Sequence, residues 1–320
     1  MSVASCLLLY SFAVVVLGPR LLTRLTHAGV APRLGLAAWL AVIGSVVGSW
    51  VTAAAFLLAE LIGDWNQPGR TVIDTCFAAL GAVASGRAGL ALQIGLLTLT
   101  AFAGVAVAML VWRLGRSLVR ARARTHEHAR MARLAGRHVD GLDAVVLDAP
   151  ERAAYCVAGR PHAIVVTSAA VAALDDRHLG AVLAHERAHL AGRHHLLLAV
   201  TRGLATILPR IDLFTTGAAE VARLLEMCAD DAAARSHGSR TVLAALLALS
   251  GAAPLPVGAL GATGVGVLAR AERLAAPARP ADRVRTRLLL TVVAVLVTVG
   301  PVLTGALAAT GLAFCGPMAG

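Results

Sequence analysis

Lysine is absent: all 29 basic residues of this 320-residue chain are arginine, set against 18 carboxylates for a formal charge of +11. Charge as a whole is scarce, at 15% of residues, while 58% are hydrophobic. A soluble domain carries about 25% charged and about 45–50% apolar residues, so a single soluble globule is excluded. The same balance excludes disorder, which combines low apolar content with high charge. Aromatic residues make up only 4%. That leaves few platforms on which bases could stack, and no direct nucleic-acid binding is expected. The basic excess points instead to a membrane with arginine held on one side. Five cysteines form neither a CxxC pair nor a disulfide framework.

What the chain does have is long uncharged runs. Four of them, at residues 3–18, 34–59, 88–112 and 288–314, are read as spanning helices, since about 20 apolar residues cross the hydrocarbon core. The first lacks the basic residue that precedes the apolar part of a cleaved signal, so it is read as a helix that stays. Arginine clusters between runs one and two (Arg20, Arg24, Arg33), after run three (Arg113 onward to Arg137) and before run four (Arg270 onward to Arg287). The segment between runs two and three has Arg70 and Arg87 against Glu60, Asp64 and Asp74. The positive-inside rule then puts both termini outside the cytoplasm and residues 113–287 inside it. The expected organisation is a membrane region over 1–112, a basic cytoplasmic linker helix over 113–140, a domain over 141–287, a fourth span over 288–314 and an extracytoplasmic tail over 315–320. A fifth uncharged run, 241–269, contains Pro254, Pro256 and five glycines. It is read as two helices packed on the domain or dipping into the bilayer surface, because a crossing there would strand six arginines outside. In this topology Cys76 and Cys315 share the oxidising side, and a disulfide between them is an expectation, with Cys6 as a competing partner.

The domain at 141–287 reads as α+β. Short β-branched runs at 143–148, 153–157 and 163–167, separated by Gly and Pro, give strands and a hairpin. Ser168 starts a short helix, and Asp175 caps a longer one reaching about His194. On that helix lies His185-Glu186-Arg187-Ala188-His189, an HExxH motif. Its histidines, at i and i+4, share one face and reach one metal, with Glu186 beside them as general base. A catalytic zinc takes three protein ligands. Glu226 supplies the third and Asp230, one turn on, holds the outer nitrogen of a ligand histidine. Glu220 is the alternative third ligand. Carboxylates in so apolar a stretch need partners.

This motif pair, with PERAAYCVAG and HAIVVTSA just before it, resembles the membrane-embedded gluzincin metallopeptidases over roughly residues 140–290. Two groups share the pattern: M48 (the HtpX and Ste24 types) and M56 (the BlaR1/MecR1 antibiotic-sensor type). Three spans before the domain and one after it are more similar to M56, in a short form without the penicillin-binding sensor domain. The resemblance implies a multi-span α-helical membrane protein with a cytoplasmic α+β gluzincin-type (HExxH) metallopeptidase domain. It implies one zinc ion (Zn2+) per chain, on His185, His189 and Glu226. The expected activity is that of an integral membrane zinc metalloendopeptidase. Its substrate would be a cytosolic or membrane-associated protein, such as a BlaI-like winged-helix repressor. The alternatives are an HtpX-like quality-control protease and a catalytically silent receptor or scaffold.

Other residues carry weaker expectations. His237 or Arg240 stabilises the transition state or makes a loop contact. His126, Glu127 and His128 are read as surface, Cys228 as a core thiol, and His194 and His195 as cations at the end of the motif helix. Tyr155 and Cys156 lie on a strand read as the sheet edge, where by family analogy a substrate adds as a further strand.

Overall fold

The computed structural model describes residues 3–63, 90–139, 143–250, 260–261, 266–276 and 278–309. Cys76 and Cys315, and the disulfide expected between them, lie outside the described residues. The chain divides into two compact units, one of residues 1–21, 40–113 and 291–320 and the other of residues 22–39 and 114–290.

The first unit is built from parts of four helices: α1 (Val3–Thr26), α2 (Pro32–Gly63), α3 (Leu90–Ala135) and α10 (Pro280–Ala309). Among the described residues, Val3–Thr26, Pro32–Leu57 and Pro280–Leu307 are long and apolar enough to cross a membrane. Their outward surfaces are apolar, with Phe12 68%, Leu296 63% and Val302 71% exposed. Such surfaces are stable in hydrocarbon and costly in water. Between the helices the contacts are polar and close. Tyr10 donates to the Val297 carbonyl at 2.9 Å, as does Ser45, and Trp50 donates to Ser11 at 3.1 Å. Gly300 makes room for Tyr10, because a Cβ there would lie 2.7 Å from its ring. Small residues and shared hydrogen bonds are how helices associate when lipid removes the hydrophobic drive. Helix α1 runs through Pro19 rather than ending where its apolar run does, and α3 continues unbroken through the arginine-rich stretch.

The second unit carries a five-stranded mixed sheet: β1 (Arg137–His138), β2 (Val145–Leu147), β3 (Ala154–Val157), β4 (Ala163–Thr167) and β5 (Leu260–Gly261), in spatial order β1-β2-β4-β3-β5. Only β2 and β4 are parallel. The helices of this unit are α4 (Ser168–Ala173), α5 (Asp176–Ala191), α6 (His194–Ile207), α7 (Asp212–His237), α8 (Ser239–Leu249) and α9 (Val267–Ala275). Alternation along the strands sends Ala154, Cys156, Ile164 and Val166 toward Val182 and Leu183 of α5 and Ala245 and Leu249 of α8. Tyr155, Val157 and Val165 face the other way, onto Ala129 and Ala132 at the end of α3. Both faces are covered, which is why β3 and β4 are buried at every position.

Three expectations are corrected here. The strand holding Tyr155 and Cys156 is not the sheet edge, because β5 pairs with it through Tyr155↔Gly261 and Cys156↔Leu260. His126 and His128 are half-buried, not surface residues. His126 accepts from the Arg160 N–H, and the His128 ring stacks 5.8 Å from Tyr155, because α3 lays its last turns across the sheet. His194 is not a cation ending the motif helix: α5 stops at Ala191, and His194 opens α6 as a buried side chain. Of the 241–269 run, the part in α8 packs on the domain, through Val242 and Leu246 against Ala181 and Ala233; residues 251–259 and 262–265, where the second helix is expected, lie outside the described residues.

The turn between α1 and α2 belongs to this second unit and docks on α7. Arg223 donates to the Thr26 carbonyl at 2.8 Å and the His27 carbonyl at 3.2 Å, and thus caps the end of α1. Glu220 holds Arg223 at 2.7 Å and accepts from the Thr26 hydroxyl at 3.0 Å. Glu220 is therefore committed to this latch.

Candidate active site

Helix α5 starts where Asp175 accepts the His178 N–H at 2.8 Å. From there its periodicity buries Val182 and Leu183 in the core and His185, Glu186 and His189 on an adjoining face. Helix α7 packs against it and brings Glu226 and Asp230, one turn apart, to the same place. All five of these polar side chains are buried, none more than 4% exposed.

Three donor atoms converge. His185 Nε2 and His189 Nε2 are 3.1 Å apart, with Glu226 Oε2 3.5 Å from the first and Glu226 Oε1 3.4 Å from the second. A tetrahedral ion with bonds of about 2.0–2.1 Å has ligand-to-ligand edges of about 3.3 Å; the donor set fits zinc in kind, and one atom from each residue lies within 4.8 Å of the others, close enough to converge on one ion. Among the described residues this is the group found able to hold a metal.

The outer nitrogens of both histidines are engaged. His185 Nδ1 is 3.1 Å from Asp230 Oδ1, and His189 Nδ1 is 2.8 Å from His194 Nδ1. Glu186 differs: both its oxygens are buried with no strong partner, and the group beside them is the weakly donating Cys156 thiol on β3. A carboxyl so placed has its full capacity left for a reacting proton.

One residue of the site had no expectation attached to it. Arg270, on α9, is 1% exposed. Its Nε and Nη2 grip Asp230 at 2.8 Å and 2.7 Å, and its Nη1 reaches Glu226 at 3.0 Å. In the sequence it counts as one of six arginines ahead of the last span. The signals that mark it are a pair of carboxylates in apolar surroundings, which calls for a cation, and its i,i+4 spacing with buried Leu274. His237 and Arg240 are not brought into this group. His237 lies against Gly180 near the start of α5, and Arg240 is exposed on the first turn of α8.

Electrostatics follow from this packing. Burial would raise Glu226 and Asp230, but both carboxyls are held below their ordinary values. His185, His189 and Arg270 do this for Glu226, and Arg270 and His185 for Asp230. Burial works against a charge on His185, yet hydrogen bonds to Asp230 and Glu226 raise it to about 10. Burial lowers His189 to about 3 and His194 to about 4. Burial pushes the Glu186 carboxyl up to about 8, against the attraction of His185. Burial raises both cysteines, Cys228 to about 11 and Cys156 further, so each is a protonated thiol at neutral pH.

No curated protein and no solved structure matches the chain. Residues 119–250 match the model of peptidase family M48, a stretch that holds His185, Glu186, His189, Glu226 and Asp230 and stops short of Arg270. Of the two groups the motif resembles, M48 is thus the one this comparison supports, and with it a metallopeptidase on a chain whose apolar helices are long enough to span a membrane.

Proposed function

We propose that the protein is a membrane zinc metalloendopeptidase, with one zinc held by His185, His189 and Glu226. The observation that carries this reading is three ligand atoms within 4.8 Å of one another beside the buried carboxyl of Glu186. Zinc bound there supplies a Lewis acid that polarises a scissile carbonyl and makes water more acidic. The chain's own residues do the rest. Glu186 accepts a proton from the attacking water and returns it to the leaving amine. Asp230 keeps the proton of His185 on Nδ1, so that Nε2 presents a lone pair. Arg270 occupies one face of both carboxylates and fixes the direction in which Glu226 offers its remaining oxygen. The purified protein is expected to hold about one zinc per chain, and Glu226→Ala or His189→Ala to lose it by metal analysis. Retained zinc and activity in Glu226→Ala would place the third ligand elsewhere.

Zinc uptake should be linked to protons. In the metal-free protein His185, at about 10, and Glu186, at about 8, both hold a proton at pH 7. Coordination removes the proton of His185, and a nearby dication favours ionised Glu186. Affinity therefore rises with pH up to about 10, most steeply below about 8 where both groups take part. Calorimetry in buffers of different ionisation enthalpy at pH 7 should register release of protons; no dependence on buffer would contradict this.

We place the peptidase unit on the cytoplasmic side of the membrane. The support is the arginine distribution, together with the membership of residues 22–39 in the same compact unit as residues 114–290. A reporter active only outside the cytoplasm should be silent when fused after Arg240 or Arg279 and active after Gly320. Activity at Arg279 would overturn the four-span topology. The substrate is then a protein met at the cytoplasmic face. A winged-helix repressor would yield one pair of fragments, whereas quality control would yield many cuts in misfolded membrane proteins. Mass spectrometry of fragments from cells carrying active and Glu186→Gln forms tells these apart.

A further inference from the structure

The segment joining α5 to α6 is built around the His194 ring. Gly192 follows the last turn of α5, and Arg193 adopts a left-handed conformation (φ 49, ψ 37) as the residue before α6. Among the described residues it is the only non-glycine with positive φ, a costly conformation for a side chain with a Cβ. The reversal folds His194 back over α5. A Cβ on Gly192 would lie 2.3 Å from His194 Nε2 and 2.5 Å from its Cδ2, so the ring sits where only glycine leaves space. There it meets His189 edge-on, with ring centroids 4.8 Å apart and planes at 89°. The Nδ1 atoms of the two rings are 2.8 Å apart, and His194 is 7% exposed.

We propose that His194 is the positioning residue for the metal ligand His189. This inference rests on the zinc reading above. His189 Nε2 points at His185 and Glu226, so it must carry a lone pair there. A neutral imidazole with a bare Nε2 has its proton on Nδ1. That N–H donates to His194 Nδ1, which requires His194 to carry its own proton on Nε2. The contact thus fixes both the tautomer of His189 and the rotation of its ring. The other ligand histidine is held by a carboxylate, Asp230, but this one is held by a neutral acceptor. The choice suits the local charge. With zinc bound and Glu186 ionised, Glu186, Glu226 and Asp230 against Arg270 would leave two negative charges, which the dication cancels. A carboxylate at position 194 would add a third.

The test is competitive zinc titration of the full-length protein in detergent against a chromophoric chelator. The variants are His194→Leu, His194→Asn, Gly192→Ala and His185→Ala, each also followed by thermal unfolding without metal. Loss of an outer partner of a ligand typically weakens metal binding about 10- to 100-fold. That loss is expected for His194→Leu, with the metal-free unfolding midpoint close to wild type. His194→Asn, which can place an amide oxygen where Nδ1 was, should recover affinity to within about threefold of wild type. Gly192→Ala should weaken binding by displacing the ring. Wild-type affinity in His194→Leu overturns the proposal, as does a folded His194→Asn that binds as weakly as the leucine variant. If His194→Leu does not fold, Gly192→Ala decides: weakened binding upholds the proposal and wild-type binding overturns it. Wild-type zinc affinity in His185→Ala would instead refute the metal site itself.

Discussion

Glu186→Gln is expected to keep its zinc and lose hydrolysis. The amide matches the carboxyl in shape, so packing of the side chain against β3 is preserved. It has no basic oxygen with which to take a proton from water. Removing a positioned general base typically costs about 10²- to 10⁴-fold in rate. The side chain is fully buried and only a weakly donating thiol faces it, so the wild-type carboxyl is held at a cost in stability. At pH 7 the metal-free carboxyl already holds its proton, so the amide matches it in charge as well as in shape. The variant should therefore unfold close to wild type, while kcat for a reporter peptide falls by at least two orders of magnitude. Zinc content from metal analysis should remain about one per chain. An active Glu186→Gln would remove Glu186 from the reaction, and a zinc-free one would mean that it is a ligand.

The second large effect is expected at Arg270. Arg270→Met keeps most of the volume and removes the charge, leaving Glu226 and Asp230 buried without their cation. Breaking a buried pair in this way costs about 3–5 kcal/mol. The loss should be largest in the metal-free protein, because zinc offers Glu226 another positive partner. Unfolding midpoints of wild type and variant, with zinc and after chelation, should show a larger gap in the chelated state. Arg270→Lys should recover only part of it, since an ammonium cannot grip Asp230 with two parallel donors while touching Glu226. The sign with pH is also defined. Asp230 is held below its ordinary value in the fold, so its contribution is complete above about pH 4 and is lost as pH falls through the folded value. Equal midpoints for Arg270→Met and wild type in the chelated state would show that the pair does not support the fold.

What could be read from the residues, and what could not, divides along one physical line. Strand β4 is found at Ala163–Thr167 as expected, and Asp175 is the cap of α5, because these features are written in neighbouring residues. The same holds for His185 and His189, and for Glu226 with Asp230: a spacing of four on a helix is geometry. Arg270 and His194 were missed for different reasons. Arg270 comes from 40 residues beyond Asp230, and nothing local distinguishes a buried arginine from a membrane anchor. His194 depends on a chain reversal at Gly192-Arg193 that the apolar pattern running into α6 conceals. Strands β1 and β5 are two residues each, too short for any periodicity, and so the pairing on the far side of β3 was invisible.

Helix α7 is gripped on two sides. Residues Glu220 and Arg223 clasp the end of α1, with Leu224 and Met227 beneath the α1–α2 turn, while Glu226 and Asp230 look toward α5. A helix transmits twist without slack, because its side chains are fixed in phase around one axis. A rotation of α7 by about 20° would carry a side-chain tip about 5–6 Å from the axis through about 2 Å. A metal site tolerates displacements of about 0.2 Å. The carbonyl end of the first helix and the proposed ligand set are therefore in mechanical register, like two marks on one shaft: loosening the clasp enough to turn the helix would take Glu226 out of bonding reach of the proposed zinc.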